Sequence, residues 1–222
     1  MSKNPSPSNN FLPNIPIGTI GVTPTFNGPY DNFIARAIQW FTATRGNYSG
    51  WAAAPVNHAF VYVGNVAGYA KPQIVEAEAR GAQFSDWDKY ADSVIWLTDI
   101  ECVNDEARMG SPTLNPIITP TPEQRQKIRE YAIDCAVKNV GYGFLDFLGI
   151  ALAQRRVDAI DPDNPPWWVK RLGDDDHLIC SQLAAAAWRY ADLYIYPHRI
   201  DGLVSPEDLY MAGGCPPHKP EG

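Results

Sequence analysis

Short runs rich in Val, Ile, Thr and aromatic residues are the first pattern along the chain, and they predict β-strands within the first 100 residues. Four segments are of this kind: GTIGVTPT (18–25), HAFVYVG (58–64), QIVEAEA (73–79) and SVIWLTDI (93–100). The second and third segments are joined by NVAGYAKP, whose Gly and Pro favour a turn. These two segments are therefore predicted to form an antiparallel hairpin.

The clearest predicted helix is TPEQRQKIREYAIDCAVKNVG (121–141). Thr121 is its predicted N-cap, Pro122 occupies the first helical position, and Gln124 completes a capping box. Gly141 is predicted to end the helix. The spacing of three and four residues between apolar positions predicts a buried stripe of Ile128, Tyr131, Ala132 and Cys135.

Four further segments are predicted to be helical: 31–44, 144–156, 180–192 and a short helix that begins at SPEDL (205–209) with Ser205 as its N-cap. Residues 103–120 lack periodicity and are predicted to form a long loop. Prolines and acidic residues exclude regular structure from DAIDPDNPPWWVKRLGDDD (158–176). Strands early and helices late, without an internal repeat, predict an α+β fold with a small antiparallel sheet or partial barrel packed against helices.

Length and composition fit one globular domain. The chain has 222 residues, of which 45% are hydrophobic and 19% charged, so it can bury a core without disulfides. We predict an extended N-terminal arm at 1–16, a domain at 17–211 and a C-terminal tail at 212–222. The net charge of −7 argues against a nucleic-acid partner, since phosphate binding needs clustered Lys and Arg.

The expected environment is a reducing one. The opening MSKNPSPSNN has no apolar core of a signal peptide, and no stretch approaches the length of a membrane span. The four cysteines are widely spaced and form no C-x-x-C pair. We therefore expect a cytoplasmic protein with free thiols, or one that is carried by a phage particle or released by lysis.

Cys180 is the principal candidate for chemistry because it stands at the predicted start of the helix in HLICSQLAAAAWRY (177–190). The N–H groups of a first helical turn stabilise a thiolate and can also bind an oxyanion. The neighbouring run Asp174, Asp175 and Asp176 opposes thiolate formation unless these carboxylates turn away. A small, packed structural cysteine is the alternative interpretation.

A catalytic cysteine needs a base, and the sequence offers two main candidates. His58 begins the strand HAFVYVG, where it shares a face with Phe60 and Tyr62 opposite the apolar core face of Ala59, Val61 and Val63. His177 is three residues from Cys180 but precedes the helix. His198 and His218 lie in Pro-containing tail segments and are weaker candidates.

A group that orients the imidazole is also expected. Glu76 and Glu78 share one face of the strand QIVEAEA. If that strand pairs with the 58–64 strand, either glutamate can approach His58, and strand parity does not choose between them. The zinc alternative, with Cys180, His58, Glu76 and His177 as ligands, is disfavoured because the sequence contains no Cys-Cys or His-His pair at the short spacing typical of zinc sites.

Eight motifs in order resemble one known family, the circularly permuted NlpC/P60, papain-like cysteine hydrolases of the YiiX/YaeF type. The motifs cover roughly residues 15–210. They are GTIGVTPT, IARAIQWFTAT, NHAFVYVG, IVEAEARG, TPEQRQKI, YGFLDFLGI, ICSQLAAAAW and SPEDL. Three features depart from the family: Gly-Thr where Gly-Asp is common in the first strand, a long loop between His58 and Glu76, and the bulky segment before Cys180.

The resemblance implies a permuted papain-like NlpC/P60 fold for 17–211 and a Cys-His-Glu triad. Cys180 would be the nucleophile, His58 the general base and Glu76, rather than Glu78, the orienting residue. Tyr142 and Ser181 are candidate oxyanion or substrate contacts, with a packed structural role as the alternative for Tyr142. The tryptophan pair Trp167 and Trp168 is a candidate wall or lid of a substrate groove, or alternatively part of the core. The implied reaction needs no metal and no organic cofactor.

The implied activity is thiol-dependent hydrolysis of an amide, peptide or ester through an acyl-enzyme. Peptidoglycan peptides are one expected substrate class. Lipid-linked acyl groups are another, and acyl transfer to lipid, as in the lecithin:retinol acyltransferase-like branch, is an alternative to hydrolysis. A second alternative is a non-enzymatic binding or structural module, for example an assembly component of a phage, that retains the papain-like fold.

Overall fold

The structure is a computed structural model, and it describes residues 14–24, 56–78, 80–91, 93–102, 116–142, 177–197, 201 and 204–213. The strands in this part of the chain are β1 (Ile20–Pro24), β2 (Val56–Gly64), β3 (Gln73–Glu78), β4 (Gly81–Asp86), β5 (Ile95–Leu97), β6 (Ile100–Glu101), β7 (Ile117–Ile118), β8 (Gly141–Tyr142) and β9 (His177–Leu178). The helices are α1 (Pro122–Lys138), α2 (Cys180–Tyr190), α3 (Pro206–Ala212) and a 3-10 helix (Trp87–Tyr90). The helices predicted at 31–44 and 144–156 lie outside the described residues.

Five strands form one antiparallel sheet in the order β4-β3-β2-β1-β5. With the three helices, this sheet confirms the predicted α+β class and the antiparallel β2-β3 hairpin. Strand β4, with the sequence GAQFSD, was not predicted because Gly, Gln, Ser and Asp have low β-propensity. It forms because all six residues of β3 pair with it.

The prediction of one strand over 93–100 is wrong. The structure has β5 at Ile95–Leu97, which pairs with β1, and then β6, which leaves the sheet and pairs with β7. The segment turns between them at the polar Thr98-Asp99 pair, which favours a bend over continued strand. Strand β7 lies in the region that was predicted to be loop.

The two faces of β2 are both buried. Ala59, Val61 and Val63 face the main core as predicted, against which α1, α2 and α3 pack. The opposite face carries a second cluster, in which Phe60 and Tyr62 lie with Tyr90. His58 therefore lies at the edge of a covered aromatic layer rather than on a solvated face.

The capping box of α1 is confirmed, because Gln124 N–H donates to Thr121 Oγ1 and Thr121 N–H donates to the Gln124 side chain. The predicted end at Gly141 is wrong: α1 ends at Lys138, and Asn139 adopts a left-handed conformation with φ 50°. Asparagine tolerates this conformation, so it replaces glycine as the terminator. Gly141 instead begins β8.

The buried stripe of α1 is confirmed for Ile128, Ala132 and Cys135. Tyr131 is only partly buried, and its ring lies 5.3 Å from the ring of Tyr190 on α2, centroid to centroid. The short helix α3 begins as predicted, with Ser205 accepting from the Asp208 N–H. In the described ranges, no helix combines the length and the apolar character that crossing a membrane requires.

Candidate active site

Cys180 is the first residue of α2, and that helix is fixed at both ends. Alanine-rich sequence favours the helix and lets it approach β2 closely. Near its C-terminus, the Trp188 Nε1–H donates to Gly18 O at 3.1 Å, and at its start the Ser181 hydroxyl donates to Val204 O at 2.6 Å. Cys180 itself is only 3% exposed, so its sulfur has a defined environment.

The start of α2 leaves backbone donors available for the sulfur. The N-cap is Ile179 in an extended conformation, and an isoleucine side chain cannot accept a hydrogen bond from the first turn. The backbone N–H groups of Ser181, in that turn, and of Ala59, on β2, hydrogen-bond to Cys180. The sulfur is therefore bound by backbone donors from two separate elements.

His58 lies on β2 beside an irregularity of the sheet. The β1-β2 pairing passes from Thr23↔His58 to Pro24↔Val56, which leaves Asn57 as an extra residue. Such a bulge changes the direction of the neighbouring side chains. The ring of His58 is held 5.7 Å from the Tyr90 ring and 6.1 Å from the Phe60 ring, centroid to centroid, and its side chain is 15% exposed.

Glu76 is the carboxylate that reaches His58. Phe60 pairs with Glu76 across the β2-β3 ladder, and His58 lies two residues before Phe60 on the same face, so the contact is diagonal. His58 Nε2 and Glu76 Oε2 are 2.8 Å apart. Glu78 instead accepts from Lys89 and from Gln83. Strand parity allowed either glutamate to approach His58, and in the structure it is Glu76 that contacts the imidazole.

The Glu76 carboxylate is fully buried and accepts hydrogen bonds at both oxygens. The Tyr90 hydroxyl donates to Oε2 at 2.7 Å, alongside His58. Lys89 Nζ donates to Oε1 at 2.6 Å, and the Ser85 hydroxyl donates to the same oxygen. Sequence reasoning missed Ser85, Lys89 and Tyr90. Had β4 been recognised, the two-residue spacing of Gln83 and Ser85 would have indicated that both polar side chains lie on one face of that strand.

Protonation is coupled between Cys180 and His58. Burial alone lowers the pKa of His58, but a hydrogen bond and charge interaction with Cys180, and then those with Glu76, outweigh burial and raise this pKa to about 10. Burial alone raises the pKa of Cys180, but the interactions with His58 and with the backbone N–H groups of Ala59 and Ser181 lower it. The raised pKa of His58 and the lowered pKa of Cys180 both favour a thiolate-imidazolium pair near neutral pH.

Glu76 is held ionised. Burial raises its pKa, but the hydrogen bond and charge of His58, followed by the hydrogen bonds of Lys89 and Ser85, lower it from 4.5 to about 2. A depressed carboxyl pKa stabilises the folded state above the unfolded value, and this stabilisation is lost as pH falls from 4.5 through about 2. The carboxylate thus remains available to an imidazolium across the neutral and mildly acidic range.

Among the described residues, one cluster of side chains offers potential metal ligands. His58, Glu76 and Glu78 offer ligand atoms within 4.8 Å of one another. However, Lys89 Nζ already lies 2.6 Å from Glu76 and 2.8 Å from Glu78, so an ammonium group supplies the positive charge between the carboxylates. Cys180 is not part of this cluster, and the side chain of His177 lies outside the described residues. The arrangement suits proton transfer better than metal binding.

The remaining predicted residues are candidate substrate contacts or weaker candidates for the base, and the structure describes some of them. The Ser181 hydroxyl is not directed at a substrate, because it donates to Val204 O; only the backbone N–H of Ser181 contacts the sulfur. Tyr142 is placed by its backbone alone, in β8, which pairs in parallel with β9 just before Cys180. Four further residues lie outside the described part of the chain: Trp167, Trp168, His198 and His218.

The site combines three side chains from two strands and one helix, separated by up to 122 positions in the sequence (180 − 58). No family model, no curated protein and no solved structure matches this chain. Its functional interpretation therefore depends on the geometry of Cys180, His58 and Glu76 and on the charges around them.

Proposed function

We propose that this chain is a thiol-dependent hydrolase of amides, peptides or esters, acting through an acyl-enzyme, and a distant relative of the permuted NlpC/P60 hydrolases. The observation that supports this proposal is the continuous contact from carboxylate to imidazole to thiol. Glu76 binds His58 Nε2 at 2.8 Å, and His58 in turn hydrogen-bonds with Cys180. This order of groups is the one that activates a nucleophile.

In the first step, the Cys180 thiolate attacks a substrate carbonyl carbon, and the electron pair of the C=O bond moves to oxygen. Because Nε2 of His58 is engaged by Glu76, Nδ1 is the nitrogen that holds the proton facing the sulfur. His58 donates this proton to the leaving amine or alcohol as the carbon-heteroatom bond breaks. The product of the step is a thioester on Cys180.

In the second step, neutral His58 removes a proton from water, and the hydroxide formed attacks the thioester carbonyl. The carbon-sulfur bond breaks, the acid is released, and the sulfur leaves as thiolate beside a protonated His58. Glu76 stabilises the imidazolium and fixes its ring orientation in both steps. Replacing water by another hydroxyl or amine converts the same sequence into acyl transfer.

Backbone donors at the start of α2 are available for the oxyanion. In the resting state, the N–H groups of Ser181 and Ala59 face the negatively charged sulfur. When the sulfur bonds to carbon, the negative charge moves to the carbonyl oxygen next to it. Donors that are already positioned at that point stabilise the tetrahedral intermediate without reorganisation.

Two substrate classes follow from the family resemblance. Peptidoglycan peptides present amide bonds, and acylated lipids present ester bonds or acceptors for acyl transfer. The mechanism treats the two alike, because both have a carbonyl carbon and a leaving group that His58 can protonate. The competing non-enzymatic interpretation predicts that no acyl group is ever transferred to Cys180.

Acyl-enzyme capture tests the proposed function. Incubation with p-nitrophenyl acetate should release a burst of about one equivalent of nitrophenol per chain, because acylation of an activated thiol precedes slower hydrolysis. Peptide mass spectrometry of the quenched protein should find one acetyl group, on Cys180. Absence of a burst, or acetyl groups spread over Cys102 and lysines, would contradict the proposal.

A further inference from the structure

Lys89 lies at the centre of the charge network beneath the proposed triad. Its ammonium group is 2.6 Å from Glu76 Oε1 and 2.8 Å from Glu78 Oε1, and it lies 5.1 Å from the centroid of the Tyr90 ring. The side chain is only 23% exposed. The Lys89–Glu76 ion pair is therefore much less exposed to solvent than the surface ion pairs of Lys71 and Lys138.

The two oxygens of Glu76 have different partners. Oε2 faces His58 and Tyr90, whereas Oε1 accepts from Lys89 and Ser85. By holding Oε1, Lys89 fixes the rotation of the carboxylate and directs Oε2 at the imidazole. A carboxylate that is held at one oxygen presents the other in a defined direction.

Lys89 also separates two like charges. Glu76 and Glu78 have oxygen atoms within 4.8 Å of each other. Two carboxylates at such a distance disfavour ionisation of both unless a cation lies between them. Without Lys89, Glu76 would take up a proton at a higher pH, and a protonated Glu76 no longer supports the imidazolium of His58.

Strand β4 contributes the neutral hydroxyl of Ser85 to Glu76, and other described elements contribute charged or titratable groups. They are His58 on β2, Glu78 on β3, Lys89 and Tyr90 on the 3-10 helix, and, through His58, Cys180 on α2. Among the described residues, Lys89 is a cation that forms ion pairs with both carboxylates. Lys71, on the loop before β3, forms its ion pairs with Asp86 and Asp88 instead.

We propose that Lys89 is a positioning residue, which keeps Glu76 ionised and directed at His58 by neutralising the repulsive negative charge of Glu78. The inference rests on the proposed function, since it concerns the same triad. It extends that function to a fourth residue, which the 3-10 helix between β4 and β5 contributes and which contacts Glu76 and Glu78.

The pH dependence of Cys180 alkylation tests this inference without any substrate. The rate of iodoacetamide labelling at Cys180 is measured by peptide mass spectrometry from about pH 4 to about pH 9, and the pH below which labelling slows is compared between variants. In Lys89→Met this acid limb should move up by about one pH unit or more, the usual size of the effect of a neighbouring charge. Lys89→Gln, which also removes the charge, should give the same shift.

Three matched variants test whether the loss of the Lys89 charge causes the shift of the acid limb. Lys89→Arg keeps the charge and should keep the wild-type limb. Lys71→Met removes a nearby lysine that is 50% exposed and should also leave the limb in place. In the double variant Lys89→Met with Glu78→Gln, the acid limb should return toward its wild-type pH, because the repulsion between the two carboxylates is gone. Circular dichroism and the unfolding midpoint establish that each variant is folded.

An unchanged acid limb in both Lys89→Met and Lys89→Gln would overturn the inference, as would an equal shift in Lys89→Arg. Either result would leave the proposed function intact as long as wild-type Cys180 is labelled faster than Cys102. Equal labelling of Cys180 and Cys102 in the wild type would instead overturn the proposed function, and the Lys89 inference with it.

Discussion

Cys180→Ala should lose at least about 10³-fold in kcat/KM on any substrate that wild type turns over, because the alanine cannot form an acyl-enzyme. The fold should be retained. Alanine is a strong helix former, and α2 remains held by the Trp188 contact to Gly18 and the Ser181 contact to Val204. The measurement is steady-state hydrolysis of the ester used for acyl-enzyme capture.

Cys135→Ala is the matched control for this variant. Cys135 is also a buried cysteine on a helix, 5% exposed on α1, but it has no part in the proposed mechanism. It should lower the unfolding midpoint slightly and leave turnover at the wild-type level. Turnover by Cys180→Ala equal to that of Cys135→Ala would show that the reaction does not use Cys180.

His58→Ala should reduce kcat/KM by about 10²- to 10⁴-fold, the range for loss of a general acid-base group. Two effects combine in this variant. The proton for the leaving group is lost, and Cys180 loses the imidazolium that outweighs burial and lowers its pKa. The thiol should then be protonated at neutral pH, since burial alone raises its pKa.

Alkylation separates these two effects in His58→Ala. Labelling of Cys180 by iodoacetamide near neutral pH should fall together with turnover, although labelling needs no general acid. His58→Gln, which keeps a polar side chain but cannot be protonated, should lose as much. Normal labelling with reduced turnover would contradict the ion pair, and normal turnover would exclude His58 as the base.

Local sequence patterns predicted the elements that carry the triad. The Val, Ile and aromatic residues of HAFVYVG and QIVEAEA indicate both strands, the two-residue period of a strand assigns their faces, and short strands joined by a turn pair in an antiparallel manner. The capping boxes at Thr121 and Ser205 determine where α1 and α3 begin. Strand β4 could not be predicted in this way, because its polar sequence is stabilised by pairing with β3 rather than by its own propensity.

The candidate site was predictable in part. Cys180 at a helix start and His58 at a strand start have local signals, but the choice of Glu76 over Glu78 depended on the family resemblance. Parity could not decide it, because both glutamates share a face; the diagonal contact across the ladder is a tertiary property. Lys89 has no local signal either, since its position between the carboxylates depends on how the 3-10 helix follows β4.

The thiolate titration of Cys180 tests the central claim most directly. The ultraviolet absorbance of thiolate is recorded against pH for wild type, and the same curve for Cys180→Ala is subtracted, which removes the other cysteines and the tyrosines. We predict that the difference signal is already present at about pH 7, below the ordinary thiol pKa of about 8.5, and that His58→Ala abolishes it at that pH. A signal that appears only at about pH 8.5 or above would contradict the thiolate-imidazolium pair.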